Sequence, residues 1–351
     1  MKVVVTGCTG NVGTSVVAAL AGDPEVSEIV GVARRVPSDC SELSWFVPAD
    51  VVRDPLEPIF DGADAVIHLA WAIQPARDRA LTRAVNVDGS RRVFEAAARA
   101  GVKTLVHASS IGAYGPGPEE NVAVSEDWPT TGIGTSFYSV DKAAAEGILD
   151  EVEAANPELR VVRLRPALIF KRNAGSEIRR LFAGPLLPNA LARPDRLPIF
   201  PWVTGLRAQA VHSDDVADAY RRAVLTPDAR GAFNIAADPV LDSESIAEAL
   251  GVRVIEMPAR ALRPLAAATW RMHLQPTPPG WLDMAVQVPL IDSSRARDEL
   301  GWSPRHGAGK TLRELLAGIA DRDGSATPPL ERDTYGRARV EELFRGGPDR
   351  G

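Results

Sequence analysis

Tyr138 and Lys142 form a Y-x-x-x-K pair that could move a proton. Residues four positions apart at the start of a helix lie on one face, so both side chains can point at one ligand. A phenol with a pKa near 10 is a poor base at neutral pH, and a neighbouring ammonium favours the phenolate. Lowering that pKa by about 3 units takes about 4 kcal/mol of differential interaction. The pair predicts proton exchange with a substrate hydroxyl or carbonyl.

Two consecutive serines, Ser109 and Ser110, follow an apolar run at residues 104–108 that is typical of a strand. Ligands of open α/β sheets bind at the carboxyl ends of the strands. A serine hydroxyl at this strand end could therefore hydrogen-bond the same substrate oxygen as Tyr138. The residue types alone leave open which of the two serines does so.

The first residues, MKVVVTGCTGNVG, predict a turn that binds phosphate. The valine run is typical of a buried strand, and residues 14–21 are typical of a helix. Between them, Gly7, Gly10 and Gly13 have G-x-x-G-x-x-G spacing. Glycine permits a tight turn and lets backbone approach an anion closely, while the helix start offers unpaired N–H groups. Because strand, turn and helix come in the required order, we expect a dinucleotide-binding loop.

The second predicted strand, residues 28–33, ends in Arg34 and Arg35. In dinucleotide-binding sheets an acidic residue at this position usually holds the ribose hydroxyls of NAD. Here two guanidinium groups replace it, and they match the charge and geometry of a phosphate. The sequence therefore predicts NADP(H) as the preferred cofactor, with NAD(H) possible. Asp50 and Val51 follow the third strand, where the carboxylate either accepts from the adenine amino group or shapes a turn.

Strands and helices alternate through the first half of the chain. We expect further strands at residues 46–49, 65–69 and 160–164, and long helices at residues 77–100 and 139–155. This alternation predicts an α/β fold with a Rossmann-type doubly wound parallel sheet.

Prolines accumulate beyond about residue 170, and the predicted helices become short, which indicates a smaller C-terminal substrate-binding lobe. We assign residues 1–168 to an NAD(P)-binding domain, with returns of the chain near residues 207–236 and 285–295. Residues 169–206 and 237–323 are assigned to the lobe. Residues 324–351 are charged and poor in apolar side chains, so we expect a flexible tail.

The composition is that of an ordinary globular chain. The 351 residues carry 40 Lys and Arg against 46 Asp and Glu, a net charge of −6 that gives no indication of nucleic-acid or anionic-membrane binding. Cys8 and Cys40 belong to no metal-ligand or disulfide spacing, so we expect no metal. Without a charged and apolar leader or a run of about 18 apolar residues, a cytoplasmic location is expected.

Several motifs together resemble the extended short-chain dehydrogenase/reductases, the NAD(P)-dependent epimerase/dehydratase group. The resemblance covers about residues 1–320 and is carried by TGCTGNVG, HLA at 68–70, NVDG at 86–89, SSIGAYG at 109–115, YSVDK at 138–142, VHSDDVA at 211–217, FNI at 233–235 and LGWSP at 300–304.

The resemblance implies a role for individual residues. Ser110, four residues before Tyr114, matches the catalytic serine, Tyr138 the acid/base, and Lys142 the residue that holds the nicotinamide ribose. Asn86 matches a helix asparagine that supports a proton-relay water. The residues expected to contact the cofactor are Gly7, Thr9, Gly10, Asn11, Val12, Gly13, Arg34, Arg35, Asp50, Val51, Leu69, Ala70, Ala108, Tyr138, Lys142 and Pro166. The two long helices match those that pair in a homodimer.

Two departures from the family pattern narrow the function. Ile111 and Gly112 stand where sugar-nucleotide dehydratases carry an acid pair, which argues against water elimination. Arg207 is displaced from the position of an arginine that grips a sugar-nucleotide diphosphate. We therefore expect an oxidoreductase that transfers hydride to or from a carbonyl or secondary alcohol of a small molecule. The alternatives are a nucleotide-sugar 4-epimerase with tightly bound NAD and a non-catalytic NADP(H)-binding sensor.

Overall fold

The computed structural model describes residues 1–332 apart from residues 38, 75, 120–121 and 184–198. Most of the expected tail and part of the proline-rich segment therefore lie outside the described residues. The strands are β1 (Lys2–Thr6), β2 (Glu28–Ala33), β3 (Trp45–Pro48), β4 (Ala65–His68), β5 (Thr104–Ala108), β6 (Arg160–Pro166), β7 (Leu168–Phe170), β8 (Ile199–Val203), β9 (Ala208–His212), β10 (Gly231–Ile235), β11 (Ala237–Leu241) and β12 (Arg253–Met257).

Helices connect these strands. The α-helices are α1 (Asn11–Ala21), α2 (Glu57–Phe60), α3 (Arg79–Arg83), α4 (Ser90–Arg99), α5 (Phe137–Ala155), α6 (Gly175–Ile178), α7 (Ser213–Leu225), α8 (Ser243–Leu250), α9 (Ala259–Arg271), α10 (Gly280–Ala285), α11 (Ser294–Leu300) and α12 (Ala308–Asp321). Short 3₁₀ turns occupy Ile111–Ala113, Arg172–Ala174 and Pro328–Leu330, and π-helical turns occupy Ala84–Gly89 and Arg179–Ala183. None of the described helices is long and apolar enough to cross a bilayer.

Seven parallel strands form the central sheet, in the order β10-β6-β5-β4-β1-β2-β3. The predicted Rossmann-type α/β fold is confirmed. The chain leaves β1 toward β2 and β3 on one side and toward β4, β5 and β6 on the other. The strand order therefore reverses beside β1, the place where such sheets bind ligands.

The valine run explains why β1 lies at the centre. Val3, Val4 and Val5 are fully buried, because both faces of the strand are covered. Val3 and Val5 face a core with Val16 and Leu20 of α1 and residues of α7, while Val4 faces a second core that includes side chains of α4 and α5. The glycine turn after β1 thus starts from a rigid position.

The long helix predicted at residues 77–100 is observed in three parts: α3, the π-helical turn Ala84–Gly89, and α4. Asp78 caps α3 by accepting from the Leu81 N–H. The predicted helix at 139–155 begins two residues earlier, at Phe137, where the Ser136 hydroxyl accepts from the Ser139 N–H. Tyr138 therefore lies in the first turn of α5, as the sequence predicts.

The remaining strands form two small sheets, β11-β9-β7 and β12-β8. Of the expected return at residues 207–236, only β10 joins the central sheet, because β9 pairs with β7 and β11. Residues 285–295 add no strand to it; a single bridge there joins Val124 to Ile291. The assignment of the two parts of the chain to separate domains stays a prediction.

Candidate active site

At the carboxyl end of β1, the backbone of the glycine loop lies close to the backbone of neighbouring segments. Gly7 has a φ of +73° and donates to the Val32 carbonyl at 2.8 Å. A Cβ on Gly7 would lie 2.7 Å from the Ala70 nitrogen, and one on Gly13 would lie 2.2 Å from the Gly7 oxygen. Gly10 precedes α1 without a side-chain cap, so the first N–H groups of that helix remain available. The loop fits the pyrophosphate of a dinucleotide.

The other predicted loop residues have distinct environments. Thr9 is buried, and Val12 packs against the core. The Asn11 amide nitrogen donates to the Ile169 carbonyl at 3.4 Å, while its Oδ1 is buried with no hydrogen-bond partner. Lys171 donates to the Asn11 carbonyl at 2.7 Å, and burial lowers the pKa of that lysine to about 8.

The end of β2 carries the predicted cofactor-selecting arginines. Arg34 and Arg35 are exposed, and no hydrogen bond or ion pair of either guanidinium is found among the described residues. Asp50 lies after β3 and accepts from the Val52 N–H at 2.9 Å, which is the turn alternative raised by the sequence. Val51 is buried and lies against Gly89.

Ser110, Tyr138 and Lys142 meet at the carboxyl end of β5. The Ser110 hydroxyl accepts from the Gly112 N–H at 3.0 Å and is hydrogen-bonded to the Tyr138 side chain. Lys142, one helical turn after Tyr138, donates to the Ala108 carbonyl at 2.6 Å. The structure thus brings the three predicted catalytic residues together beside the glycine loop.

Burial dominates the electrostatics of this trio. It raises the pKa of Tyr138, and the hydrogen bond from Ser110 opposes that rise. Burial also lowers the pKa of Lys142 to about 7. The Lys142 ammonium lies 3.4 Å from the centre of the Trp71 ring and bonds to Ala108. Without a bound dinucleotide, Tyr138 therefore keeps its proton at neutral pH, and the lowering of its pKa in the presence of the cofactor cation stays a prediction.

The two adjacent serines have different partners. The Ser109 hydroxyl points away from the trio and donates to the Glu146 carboxylate. Glu146 is also paired with Arg165, at 2.5 and 2.8 Å, and Arg165 donates to the Tyr114 hydroxyl at 2.9 Å. Both members of that ion pair are almost fully buried. This network could not be predicted from the sequence, because its members are far apart along the chain.

Asn86 lies in the π-helical turn and is fully buried. Its amide oxygen accepts from the Ala72 N–H at 2.7 Å and its nitrogen donates to the Ala72 carbonyl at 2.9 Å. These bonds hold the loop that follows β4, next to Leu69 and Ala70. The described bonds of Asn86 do not reach Ser110, Tyr138 or Lys142, so its catalytic role stays a prediction.

Two tryptophans flank the Tyr138 ring. Trp71 meets it edge-on with 6.0 Å between ring centres, and Trp281 lies 4.8 Å away with the planes 35° apart. Neither tryptophan is among the site residues predicted from the sequence, because each reaches Tyr138 through a contact between distant parts of the chain. Pro166, predicted near the nicotinamide, is buried at the end of β6, in register with Ile235 of β10.

A family model described as "NAD dependent epimerase/dehydratase family" matches residues 3–236. An uncharacterized protein of Mycobacterium tuberculosis is 29% identical over 327 residues, which are 92% of this chain and 31% of that protein. The chain thus spans less than a third of the length of this relative. A UDP-glucose 4-epimerase of Mycolicibacterium smegmatis is 28% identical over 325 residues, 87% of this chain and 94% of its own.

Solved structures share the fold. One is the Thermus thermophilus UDP-glucose 4-epimerase in complex with NAD. It superposes with a TM-score of 0.66 at 21% identity, over 91% of this chain and 99% of that one.

Proposed function

The chain belongs to the NAD-dependent epimerase/dehydratase family, and from that premise we propose that it is an enzyme that transfers hydride to or from a carbonyl or secondary alcohol. The observation that carries the proposal is the hydrogen-bonded pair Ser110–Tyr138, with Lys142 one turn further on α5. The direction we favour is reduction, because burial keeps the Tyr138 phenol protonated and thus able to donate.

A nicotinamide dinucleotide, when bound, supplies the hydride to the carbonyl carbon and is itself oxidised. The glycine loop and the backbone of Leu69 and Ala70 would hold its phosphates and ribose, since the loop packs directly on the backbone of Ala70 and leads into the uncapped start of α1.

Each member of the trio has a separate task. Tyr138 donates its proton to the carbonyl oxygen as the hydride reaches the carbon. Ser110 directs the phenol through its hydrogen bond and is itself oriented by the Gly112 N–H. Lys142 is held by the Ala108 carbonyl, where its three-donor ammonium is able to bind a ribose hydroxyl.

We further propose that NADP(H) is preferred over NAD(H). Support comes from Arg34 and Arg35, whose exposed guanidinium groups follow β2. The test is to identify any nucleotide released from freshly denatured protein and to titrate the emptied protein with NADPH and NADH. Much tighter binding of NADPH, lost in an Arg34→Glu/Arg35→Glu variant, supports the preference. Equal affinities, or NADH binding more tightly, contradict it.

Replacing Tyr138 by Phe tests the mechanism. We expect turnover of a carbonyl substrate to fall by about 10²–10⁴-fold, while the affinity for the dinucleotide changes little. Ser110→Ala should also lose most of its activity, whereas Ser109→Ala, whose hydroxyl faces Glu146, should retain it. Activity of Tyr138→Phe close to that of the unmodified protein would exclude the mechanism.

A nucleotide-sugar 4-epimerase is the second candidate, favoured by the similarity to the mycobacterial UDP-glucose 4-epimerase over most of both chains. It predicts NAD that co-purifies with the protein, interconversion of UDP-glucose and its 4-epimer, and no net consumption of NAD(P)H. Under either function, we propose a homodimer through α4 and α5, to be checked by light scattering.

A further inference from the structure

We propose that Trp281 forms one wall of the substrate pocket and selects a carbonyl compound that carries a flat apolar group, such as an aryl ketone. The inference rests on the proposed function, because Tyr138 is its reference point. The Trp281 ring centre lies 4.8 Å from that of Tyr138. At this distance a ring of the substrate attached to the reacting carbonyl meets the indole as soon as its oxygen reaches the phenol.

Trp281 is fixed in place by the packing of α10. A Cβ on Gly280 would lie 2.2 Å from the Thr135 oxygen, so α10 starts in direct backbone contact with the segment that leads into α5. One turn later, the Met284 sulfur accepts from the Ser136 hydroxyl at 3.7 Å. Trp281 therefore lies on α10 and Tyr138 on α5, and these two helices cannot separate without breaking these contacts.

Other aromatic rings extend the wall. Phe182 meets Trp281 edge-on at 4.9 Å, and Phe137 does so at 6.4 Å. Trp71 meets the Tyr138 ring edge-on, with 6.0 Å between ring centres. An indole flanked by edges and faces of this kind binds flat apolar groups through dispersion and quadrupole contacts.

Three arginines of the surrounding elements are already engaged. Arg79 makes a two-pronged pair with Asp141 at 2.9 and 3.1 Å, and Arg263 does the same with Asp283 of α10 at 2.7 and 2.9 Å. Arg77 stacks on the Trp270 ring. Because a guanidinium that binds a sugar-nucleotide diphosphate must be free to do so, these three would first have to leave their present partners.

Steady-state kinetics with acetophenone and butanone test the selection. We expect Trp281→Ala to raise the KM for acetophenone about 10-fold, with kcat/KM for butanone within about 2-fold of the unmodified value. Trp281→Phe should restore most of the preference. Trp202→Phe is the matched control, because this tryptophan lies in β8 and donates to the Leu206 carbonyl, away from Tyr138. An equal effect of Trp281→Ala on both ketones would overturn the proposal.

Calorimetric titration separates this inference from the proposed function. In the Tyr138→Phe background, acetophenone should still bind, and Trp281→Ala should weaken its binding about 10-fold. Turnover by Tyr138→Phe would contradict the proposed mechanism, but it would not contradict the role proposed for Trp281 in binding. Three results would each overturn the proposal for Trp281. The first is that acetophenone does not bind, and the second is that its affinity is the same with and without Trp281. The third is that UDP-glucose binds more tightly than acetophenone and loses that affinity in Trp281→Ala.

Discussion

Arg165 in the central sheet and Arg172 in the smaller C-terminal part each bind two carboxylate oxygens, but in opposite surroundings. Arg165 and its partner Glu146 have side chains only 6% and 2% exposed. Arg172 is 46% exposed and pairs with Asp321 and Asp323 at 2.5 and 2.6 Å. The sheet part thus holds its polar groups in a buried network beside Ser109 and α5. The smaller part joins its elements through ion pairs that water also reaches.

The difference extends to the helices of the two parts. Tyr138 and Lys142 lie on α5, whose buried carboxylates Asp141 and Glu146 are both ion-paired. In the smaller part, α9 has no buried residue. The helix that carries the Tyr138–Lys142 pair is therefore anchored by buried polar contacts that α9 lacks.

Removing Arg165 should produce the largest effect. Arg165→Met leaves the Glu146 carboxylate buried without its partner, so we expect a loss of about 3–5 kcal/mol in the free energy of unfolding, measured by urea titration. The double variant Arg165→Met/Glu146→Leu should recover much of that loss, because no unpaired charge remains. If Arg165→Met lowered the free energy of unfolding by less than about 1 kcal/mol, the buried pair of the sheet part would be no more important for stability than the exposed pairs of the smaller part.

Lys142 adds a pH dependence to the sheet part. Its folded pKa, about 7, lies below the ordinary value of 10.5 because of burial. Above pH 7 the unfolded chain therefore binds more protons at this position, so stability rises with pH. Between pH 7 and 9 the unmodified protein should gain about 2 kcal/mol relative to Lys142→Met. Parallel stability curves for the two proteins would show that Lys142 has an ordinary pKa.

Gly13→Ala should have a smaller effect, confined to the cofactor loop. The added methyl would lie 2.2 Å from the Gly7 oxygen and displace backbone, so we expect a loss of about 1–3 kcal/mol and weaker NADPH binding. Gly147→Ala, at an exposed position of α5, is the control, because no atom of the described residues lies within 4 Å of a Cβ there; it should stabilise the helix slightly. Unchanged NADPH affinity in Gly13→Ala would argue against close approach of the dinucleotide.

Arg172→Ala should give the smallest effect. Solvent screens both of its ion pairs, so we expect a loss of about 0.2–1 kcal/mol, further reduced at high salt. Arg165 and Arg172 each bind two carboxylate oxygens, and Arg165 also donates to Tyr114 and to the Glu126 carbonyl, so the ratio of their effects measures the buried network as a whole. Comparable losses would show that the two parts are held together in the same way.

The sheet and the candidate catalytic trio could be predicted from the sequence because their signals are local. The run in β1, the glycine spacing and the Y-x-x-x-K pair each lie within a few residues. The structure places Ser110, Tyr138 and Lys142 together, as this reasoning expected. The choice of Ser110 over Ser109 came only from the family resemblance, since their partners are contributed by α5.

The elements missed from the sequence are short, exposed or proline-containing. β8 contains Pro201 and pairs only with β12, and α9 contains Pro264, which argues against a helix in any local analysis. The position of Trp281 depends on the contact between Gly280 and Thr135, which are far apart in sequence. Long-range contacts of this kind have no local signature.

The core that covers one face of β1 has a consequence for how the chain is made. Val5 shares that core with Phe233 of β10 and with Trp302 beyond α11. At about 5–20 residues per second, a ribosome needs roughly 15–60 s to add the residues between Val5 and Trp302. During that interval the apolar face of the nascent sheet stays open, which makes the growing chain a client for chaperones until its last third has emerged.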